Sequence, residues 1–487
     1  MTHYVKKWYT VHTNPTNGEN IMVFSSPDFL FFFMSAVLLV YFIVPPFWRN
    51  PVLLLFSLFF YGWGEPAYIV LMIITIIIDY IGGLLVAKYL PTSRKKAKYA
   101  MIAAIVLNLA FLGFFKYWDF FATTLSTIPF IPKLPTFGVT LPVGISFYTF
   151  QSLSYVIDVY RGDGQVQKNP ATFGTYVTLF PQLIAGPIVR YCDVDDQLRH
   201  REHRVDLFAS GVRTFVCGLA KKLILANSAG AMWESLSAGV EASPSVLGAW
   251  MGILFYTFHI YFDFSGYSDM AIGLGKMFGF VFRENFHYPY IADSVTDFWR
   301  RWHISLSVWF REYVYIPLGG NRKGKTRMIV NLFIVWFLTG LWHGAGWNFI
   351  LWGLYYGVLL CLEKVVLGKV IEKIPVWIRR IVTFIIVMFG WLLFASADGL
   401  GFIGMYLKAM FASPITATGN VYYLVRSIIF IVILAVASTP APLTVFRKIY
   451  ENRWGRWAIA VTAVVALVVS TAYMIASSYN PFLYFRF

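Results

Sequence analysis

Apolar residues in this chain come in blocks and do not alternate with polar ones. The blocks cover 29–44, 51–61, 67–89, 99–121, 141–158, 173–189, 212–230, 246–262, 265–281, 328–342, 347–368, 381–396, 421–437 and 457–476. About 20 apolar residues cross the hydrocarbon core of a bilayer as one helix. The longer blocks therefore predict spans, and those near 51–61, 173–189 and 265–281 predict half-helices or re-entrant pieces. The pattern reads as an all-α polytopic membrane protein with roughly 10–12 transmembrane helices plus short re-entrant or interfacial helices. No second domain, low-complexity linker or internal repeat interrupts it.

Composition strengthens this reading. The chain is 58% hydrophobic and 13% charged, with a mean hydropathy of +0.63. Soluble domains run near 25% charged, and no single core could hide this much apolar surface. Residues 1–21 are polar and hold Lys6 and Lys7 with no apolar stretch behind them, unlike a secretory signal peptide. Met22 stands just ahead of the first block as an alternative start. The expected division is a polar N-terminal tail at 1–21 and a membrane domain at 22–487.

The net charge of +16 does not point to nucleic acid. Arg94, Lys95, Lys96 and Lys98 form one basic cluster, and Arg322, Lys323, Lys325 and Arg327 another. Arg379 with Arg380, and Arg447, Lys448, Arg453 and Arg456, complete the set. All lie in short breaks between apolar blocks, where the positive-inside rule places cytoplasmic loops. Counting spans from those loops leaves both termini outside, while 160–300 does not resolve. Irregular backbone at membrane depth survives only where protein buries it or a wet cavity needs it. Cys192, Cys217 and Cys361 are too scattered for a disulfide framework.

Polar side chains away from the loops are the candidates for chemistry. The stretch 294–321, SVTDFWRRWHISLSVWFREYVYIPLGGN, opens with Ser294 and Asp297 as a capping pair and closes on Pro317, Gly319 and Gly320. As one helix it puts Trp299, His303, Leu306 and Phe310 on one face and Arg300, Ser307 and Arg311 on another. An interfacial helix accounts for the charged face, but not for His303 on the apolar one. That position aims His303 into the protein.

The stretch 328–345, MIVNLFIVWFLTGLWHGA, has Asn331 as its only strongly polar side chain before His343. Leu332, Trp336, Thr339 and His343 share a face. A histidine at membrane depth needs a partner or a water-lined cavity, which makes His343 a candidate for function. A structural histidine bonded to a backbone carbonyl is the alternative. Imidazole titrates near neutrality and suits proton transfer. Gly340 and Gly344 leave room for backbone or substrate.

A third group lies in YFDFSGYSDMAIGLGKMFG at 261–279, where Asp263, Ser265, Tyr267, Ser268 and Asp269 cluster. Its carboxylates require Arg, His or hydroxyl partners, and the Arg-rich stretch is the expected source. Ala271, Gly275 and Gly279 recur every four residues as a helix-packing stripe. Pro181, Gly186 and Pro187 predict a broken or re-entrant helix over 179–190. Phosphate-loop, nucleophile-elbow and metal-ligand spacings are absent, so neither a bound cofactor nor a metal is expected.

These stretches resemble the membrane-bound O-acyltransferase family, in the bacterial branch typified by alginate O-acetylation proteins. The likeness is carried by MVFSS (22–26), LPVGISFYTFQSLSYVIDVYRG (141–162) and FPQLIAGPIVR (180–190). It continues through YFDFSGYSDMAIGLGKMFGF (261–280), ENFHYPYIADSVTDFWRRWHISLSVWFREYVYIPLGGNR (284–322) and LTGLWHGAGWNFILWG (338–353). The resemblance implies a catalytic His343, a second important histidine at His303, and a ring of helices around a central funnel. Trp342, Ser307, Arg311, Asp263, Ser265, Tyr267 and Asp269 are the candidate substrate-binding side chains.

The resemblance further implies a cytoplasmic acyl donor, acetyl-CoA or an acyl-carrier protein, acting across a bacterial inner (plasma) membrane. The acceptor it implies is a surface polysaccharide, O-acetylated through a secreted or tethered SGNH-type acyltransferase. D-alanyl transfer toward teichoic acid is the alternative within the family. A proton-coupled secondary transporter using Asp263 and Asp269 is the alternative from another class. It predicts inverted repeats and matched broken helices, which the sequence lacks.

Overall fold

The computed structural model describes residues 22–184, 186–396, 399–476 and 483, and among these the regular structure is helical, with no β-strand. The tail at 1–21 lies outside the described residues. The chain begins with α1 (Asp28–Ile43), α2 (Arg49–Gly64), α3 (Ile69–Tyr89), α4 (Arg94–Leu125) and α5 (Ile145–Arg161). Short α6 (Pro170–Thr178), α7 (Phe180–Leu183) and α8 (Tyr191–Arg199) follow, then long α9 (Val205–Ala242) and α10 (Val246–Met277). The remainder is α11 (Val295–Arg301), α12 (Ile304–Phe310), α13 (Lys325–His343), α14 (Trp347–Ile371) and α15 (Val376–Ala395). It ends with α16 (Leu400–Ala412), α17 (Asn420–Ala437), α18 (Ala441–Tyr450) and α19 (Arg453–Ala476).

Several helices start at side chains able to satisfy the first orphan amides. Ser93 Oγ accepts the Lys96 N–H at 3.4 Å, and Asn169 Oδ1 those of Ala171 and Thr172 at 2.9 and 3.3 Å. Ser245 does the same for Gly248 at 3.1 Å, and Ser294 for Asp297 at 3.0 Å. Within α4 and α9 the spiral widens into π turns at Gly113–Tyr117 and Lys221–Ala226. Such turns recur at functional positions.

Among the described residues, seven helices (α3, α4, α9, α14, α15, α17 and α19) are long and apolar enough to cross a membrane. The expectation of roughly 10–12 spans counted further blocks as separate crossings. The block 246–262 and most of 265–281, the latter expected as a half-helix or re-entrant piece, instead form the single 32-residue α10. The Asp263–Asp269 cluster does not break that helix, because lysines of α9 neutralise its carboxylates. By contrast 173–190 does break, into α6, α7 and an extended piece, as Pro181 and Pro187 predict.

Burial shows what surrounds the molecule. Of the 17 residues of α5, 14 are buried, so α5 is an internal pillar. Only 11% of the apolar window of α17, and the same share of α19, is buried inside the protein. Val425, Ile429, Val461 and Val468 stand exposed on them. Helices apolar all round with so little covered require lipid as solvent.

The tight seam of the fold joins α9 to α10. A Cβ on Gly218 would lie 2.5 Å from the Gly266 carbonyl oxygen, and one on Gly211 would lie 2.7 Å from that of Gly273. The close approach therefore runs through Gly266 and Gly273, not through Ala271, Gly275 and Gly279. Gly275 faces the Phe282 ring, and Gly279 ends α10 with φ +84°.

Candidate active site

The stretch 294–321 is not one helix. α11 stops at Arg301, Trp302 is extended, and His303 is left-handed with φ 44° before α12 begins. Segment 285–287 supplies the reason. Its His287 N–H donates to the Arg301 carbonyl and its Asn285 carbonyl accepts the Ile304 N–H, both at 2.9 Å. A left-handed non-glycine residue is a strained choice that its surroundings must enforce. The predicted division of faces survives the break: Trp299, His303, Leu306 and Phe310 are buried, while Arg300 and Arg311 are exposed.

Asn285 also organises the His303 side chain. Its Oδ1 accepts Ser305 N–H at 3.1 Å and Ser305 Oγ–H at 2.9 Å, and lies 3.3 Å from His303 Nδ1. Ser305 Oγ in turn accepts the Ile188 N–H at 3.0 Å, tying the site to the broken 173–190 region. Phe264 of α10 packs on the imidazole at 4.7 Å between centroids.

His343 is the last residue of α13 and only 3% exposed. The face predicted from the sequence holds, since Leu332, Trp336, Thr339 and His343 are all buried. Its ring meets Trp352 at 4.8 Å, Trp342 at 5.0 Å and Phe394 at 5.3 Å. Trp342 also meets His303 at 5.8 Å, so the two histidines flank one indole. Gly340 and Gly344 serve packing: a Cβ on either would overlap Phe349 of α14.

A cleft of about 260 Å³ reaches this point between Phe114, Lys116, Asp119, Leu141 and Gly344. A second, smaller space of about 30 Å³, which shares Lys116 and Leu141 with it, lies beside Ser146, Trp342 and His343. Lys116 is 8% exposed. Its Nζ donates to Ser146 Oγ at 3.0 Å and to the Trp342 carbonyl at 2.5 Å.

The structure thus gathers His303, His343 and Trp342 in one place. Asp263 and Asp269 find their partners in α9, not in the Arg-rich stretch: Lys222 lies 2.7 Å from Asp263 and Lys221 2.6 Å from Asp269. Asp263 also accepts the Leu483 N–H at 2.9 Å. Ser265 and Tyr267 are buried on α10, with Tyr267 stacked on Phe24 at 4.5 Å. Ser307 is half-buried and donates to the Trp299 carbonyl at 3.4 Å. Arg311 points outward and pairs with its neighbour Glu312 at 2.7 Å.

Two residues of the site escaped the sequence reading. Lys116 stands within the apolar block 99–121, where an ionisable side chain at membrane depth is the signal that could have found it. Asn285 lies in a loop 18 residues before His303, with no local pattern linking the two.

The sequence pattern of the membrane-bound O-acyltransferase family matches residues 166–407. The probable alginate O-acetylase AlgI of Pseudomonas aeruginosa is 42% identical over 394 residues, covering 80% of this chain and 75% of the relative. The peptidoglycan O-acetyltransferase of Helicobacter pylori is 32% identical over 521 residues, covering 96% and 98%. The teichoic acid D-alanyltransferase of Bacillus subtilis is 28% identical over 288 residues, covering 57% and 71%. The match and the length of the first two relatives make this chain a member of the membrane-bound O-acyltransferase family, a multi-pass membrane O-acyltransferase.

Proposed function

We propose that this enzyme takes an acetyl group from cytoplasmic acetyl-CoA and passes it across a bacterial inner membrane to O-acetylate a surface polysaccharide. An SGNH-type acyltransferase outside is the proposed intermediary. The observation that carries the reading is the pair of buried histidines flanking Trp342, which lines the smaller of the two spaces. The naming of the more similar relatives as O-acetylases or O-acetyltransferases favours acetyl over D-alanyl transfer. The shorter and weaker likeness to a D-alanyltransferase favours it too.

In this mechanism His343 is the general base. It takes the proton of an incoming hydroxyl as that oxygen attacks the thioester carbonyl; the C–O bond forms, the C–S bond breaks, and the thiol leaves with the proton. His303, held at Nδ1 by Asn285, orients the acceptor or the base. With the Arg322–Arg327 cluster cytoplasmic, α13 rises from the inner face and carries His343 toward the outer one. An acceptor then reaches His343 through the cleft, and the basic loops and Arg311 favour the donor's phosphates inside.

The test is transfer of radiolabelled acetyl from acetyl-CoA to surface polymer, run beside D-alanyl transfer from a charged carrier protein. Acetyl transfer that His343→Ala abolishes, at unchanged protein level, is the expected result. Normal acetylation in that variant would sink the assignment of His343. Labelling by D-alanine alone would move the enzyme to the teichoic acid route.

A further inference from the structure

Among the described residues four lysines sit in π turns within membrane-spanning helices: Lys116 in α4, Lys221 and Lys222 in α9, and the exposed Lys364 in α14. The two in α9 each face a carboxylate, at 2.6 Å from Asp269 and 2.7 Å from Asp263. Lys116 is different. Its two acceptors, the Ser146 hydroxyl and the Trp342 carbonyl, are both neutral, and among the described residues it forms no ion pair.

A cation held away from water with no counter-charge is an unfavourable arrangement. It becomes useful where negative charge develops during a reaction, because the group is already oriented and poorly solvated when that charge arrives. An ammonium has three N–H bonds. Two are engaged, which leaves the third for the cleft, and Lys116 lines both the larger space and the smaller one beside His343. The bond to the Trp342 carbonyl fixes Nζ against the residue that immediately precedes His343.

We propose that Lys116 is a catalytic residue, the donor that stabilises the oxyanion of acyl transfer. The proposal rests on the reading of His343 as general base. As the acceptor oxygen adds to the thioester carbon, the carbonyl π pair moves onto the carbonyl oxygen while His343 takes the hydroxyl proton. The third N–H of Lys116 donates to that oxygen. When the carbonyl re-forms, the C–S bond breaks and the thiolate takes the proton back from the His343 imidazolium. Lys116 keeps its own protons throughout.

A mere tether between α4 and α13 predicts a different outcome, so the test compares two ligands as well as a rate. Full-length enzyme in lipid nanodiscs is prepared as wild type, Lys116→Met, Lys116→Arg and His343→Ala. The readouts are single-turnover acetyl transfer and the affinities for two acetyl-CoA analogues. One is a neutral thioether; the other is a phosphonate with an anionic tetrahedral centre. Lys116→Met is expected to lose about 10²–10³-fold in rate and at least about tenfold in phosphonate affinity, with thioether affinity unchanged. Lys116→Arg is expected to keep the phosphonate preference.

A Lys116→Met rate within about threefold of wild type, or equal losses for both analogues, overturns the proposal. If Lys116→Met does not fold, Lys116→Arg decides: loss of its phosphonate preference overturns the proposal, and retention supports it. The His343→Ala arm separates the two assignments. Its inactivity beside an active Lys116→Met refutes Lys116 alone, whereas wild-type activity in His343→Ala refutes the base on which the proposal rests.

Discussion

Asn285 Oδ1 accepts the backbone N–H of Ser305 at 3.1 Å and lies 3.3 Å from Nδ1 of His303. The backbone donor determines which end of the amide faces the ring. Facing an oxygen, Nδ1 carries the proton of the neutral imidazole and Nε2 carries the lone pair. One loop residue thus sets both the strained turn at His303 and the tautomer of its side chain.

Asn285→Ala takes the acceptor from three buried donors, the Ser305 N–H, the Ser305 Oγ–H and the His303 Nδ1–H, and frees the ring to rotate. Misplacement of a reacting group by about 1 Å costs on the order of 10²-fold in rate. The expected outcome is a loss of that size in kcat with little change in KM, in protein that still purifies as a single species. A kcat equal to wild type would separate His303 orientation from the chemistry.

The glycine seam makes a prediction about assembly. A methyl on Gly273 meets backbone atoms of α9, 2.6 Å from Phe215 N and 2.7 Å from the Gly211 carbonyl oxygen, and neither can move aside. A methyl on Gly275 meets only the Phe282 ring, a side chain that can shift. Gly273→Ala is therefore expected to lower stability by about 1–3 kcal/mol and Gly275→Ala by less. Thermal unfolding in detergent, followed by the monodisperse fraction, measures both; the reverse order would contradict the seam.

These positions show what a single sequence can and cannot disclose. The inward faces of 294–310 and 328–343 are legible, because side-chain period and apolar content report which face is buried whether or not the helix is continuous. The break at His303 is not legible: nothing between Trp299 and Phe310 disfavours helix, and the interruption comes from the 285–287 segment bonding across it. The continuity of α10 is hidden for the opposite reason. Asp263 and Asp269 look like helix interruptions until Lys222 and Lys221, more than 40 residues earlier in the chain, are seen to face them. Lys116 is marked only as a charge inside the 99–121 block, and its partner is hidden, since only the fold brings it to Trp342.

Arg311 tests the proposed inner docking face. Its side chain is 62% accessible and pairs with the half-buried Glu312 at the surface. Such surface pairs contribute about 0–1 kcal/mol, so Arg311→Ala is expected to leave thermal stability unchanged. If its guanidinium meets donor phosphates, the variant raises KM for acetyl-CoA about tenfold and keeps kcat, the pattern of lost uniform binding. The effect should shrink as salt rises. An unaltered KM across ionic strengths would remove Arg311 from the donor site.

The Lys222–Asp263 pair separates a structural role from a substrate role for the α10 carboxylates. Both side chains are about 1% accessible and 2.7 Å apart. Removing one partner leaves the other charge buried, a loss of about 3–5 kcal/mol, while replacing both with apolar residues of similar size is often close to neutral. Asp263→Leu alone is thus expected to unfold readily in detergent, and Lys222→Met with Asp263→Leu to recover most of the stability. Activity then discriminates between the two roles. If Asp263 only neutralises Lys222 and anchors Leu483 N–H, the double variant regains acyl transfer along with its fold. If the carboxylate contacts the acceptor, the double variant is stable and inactive, and the ion pair is part of the catalytic machinery.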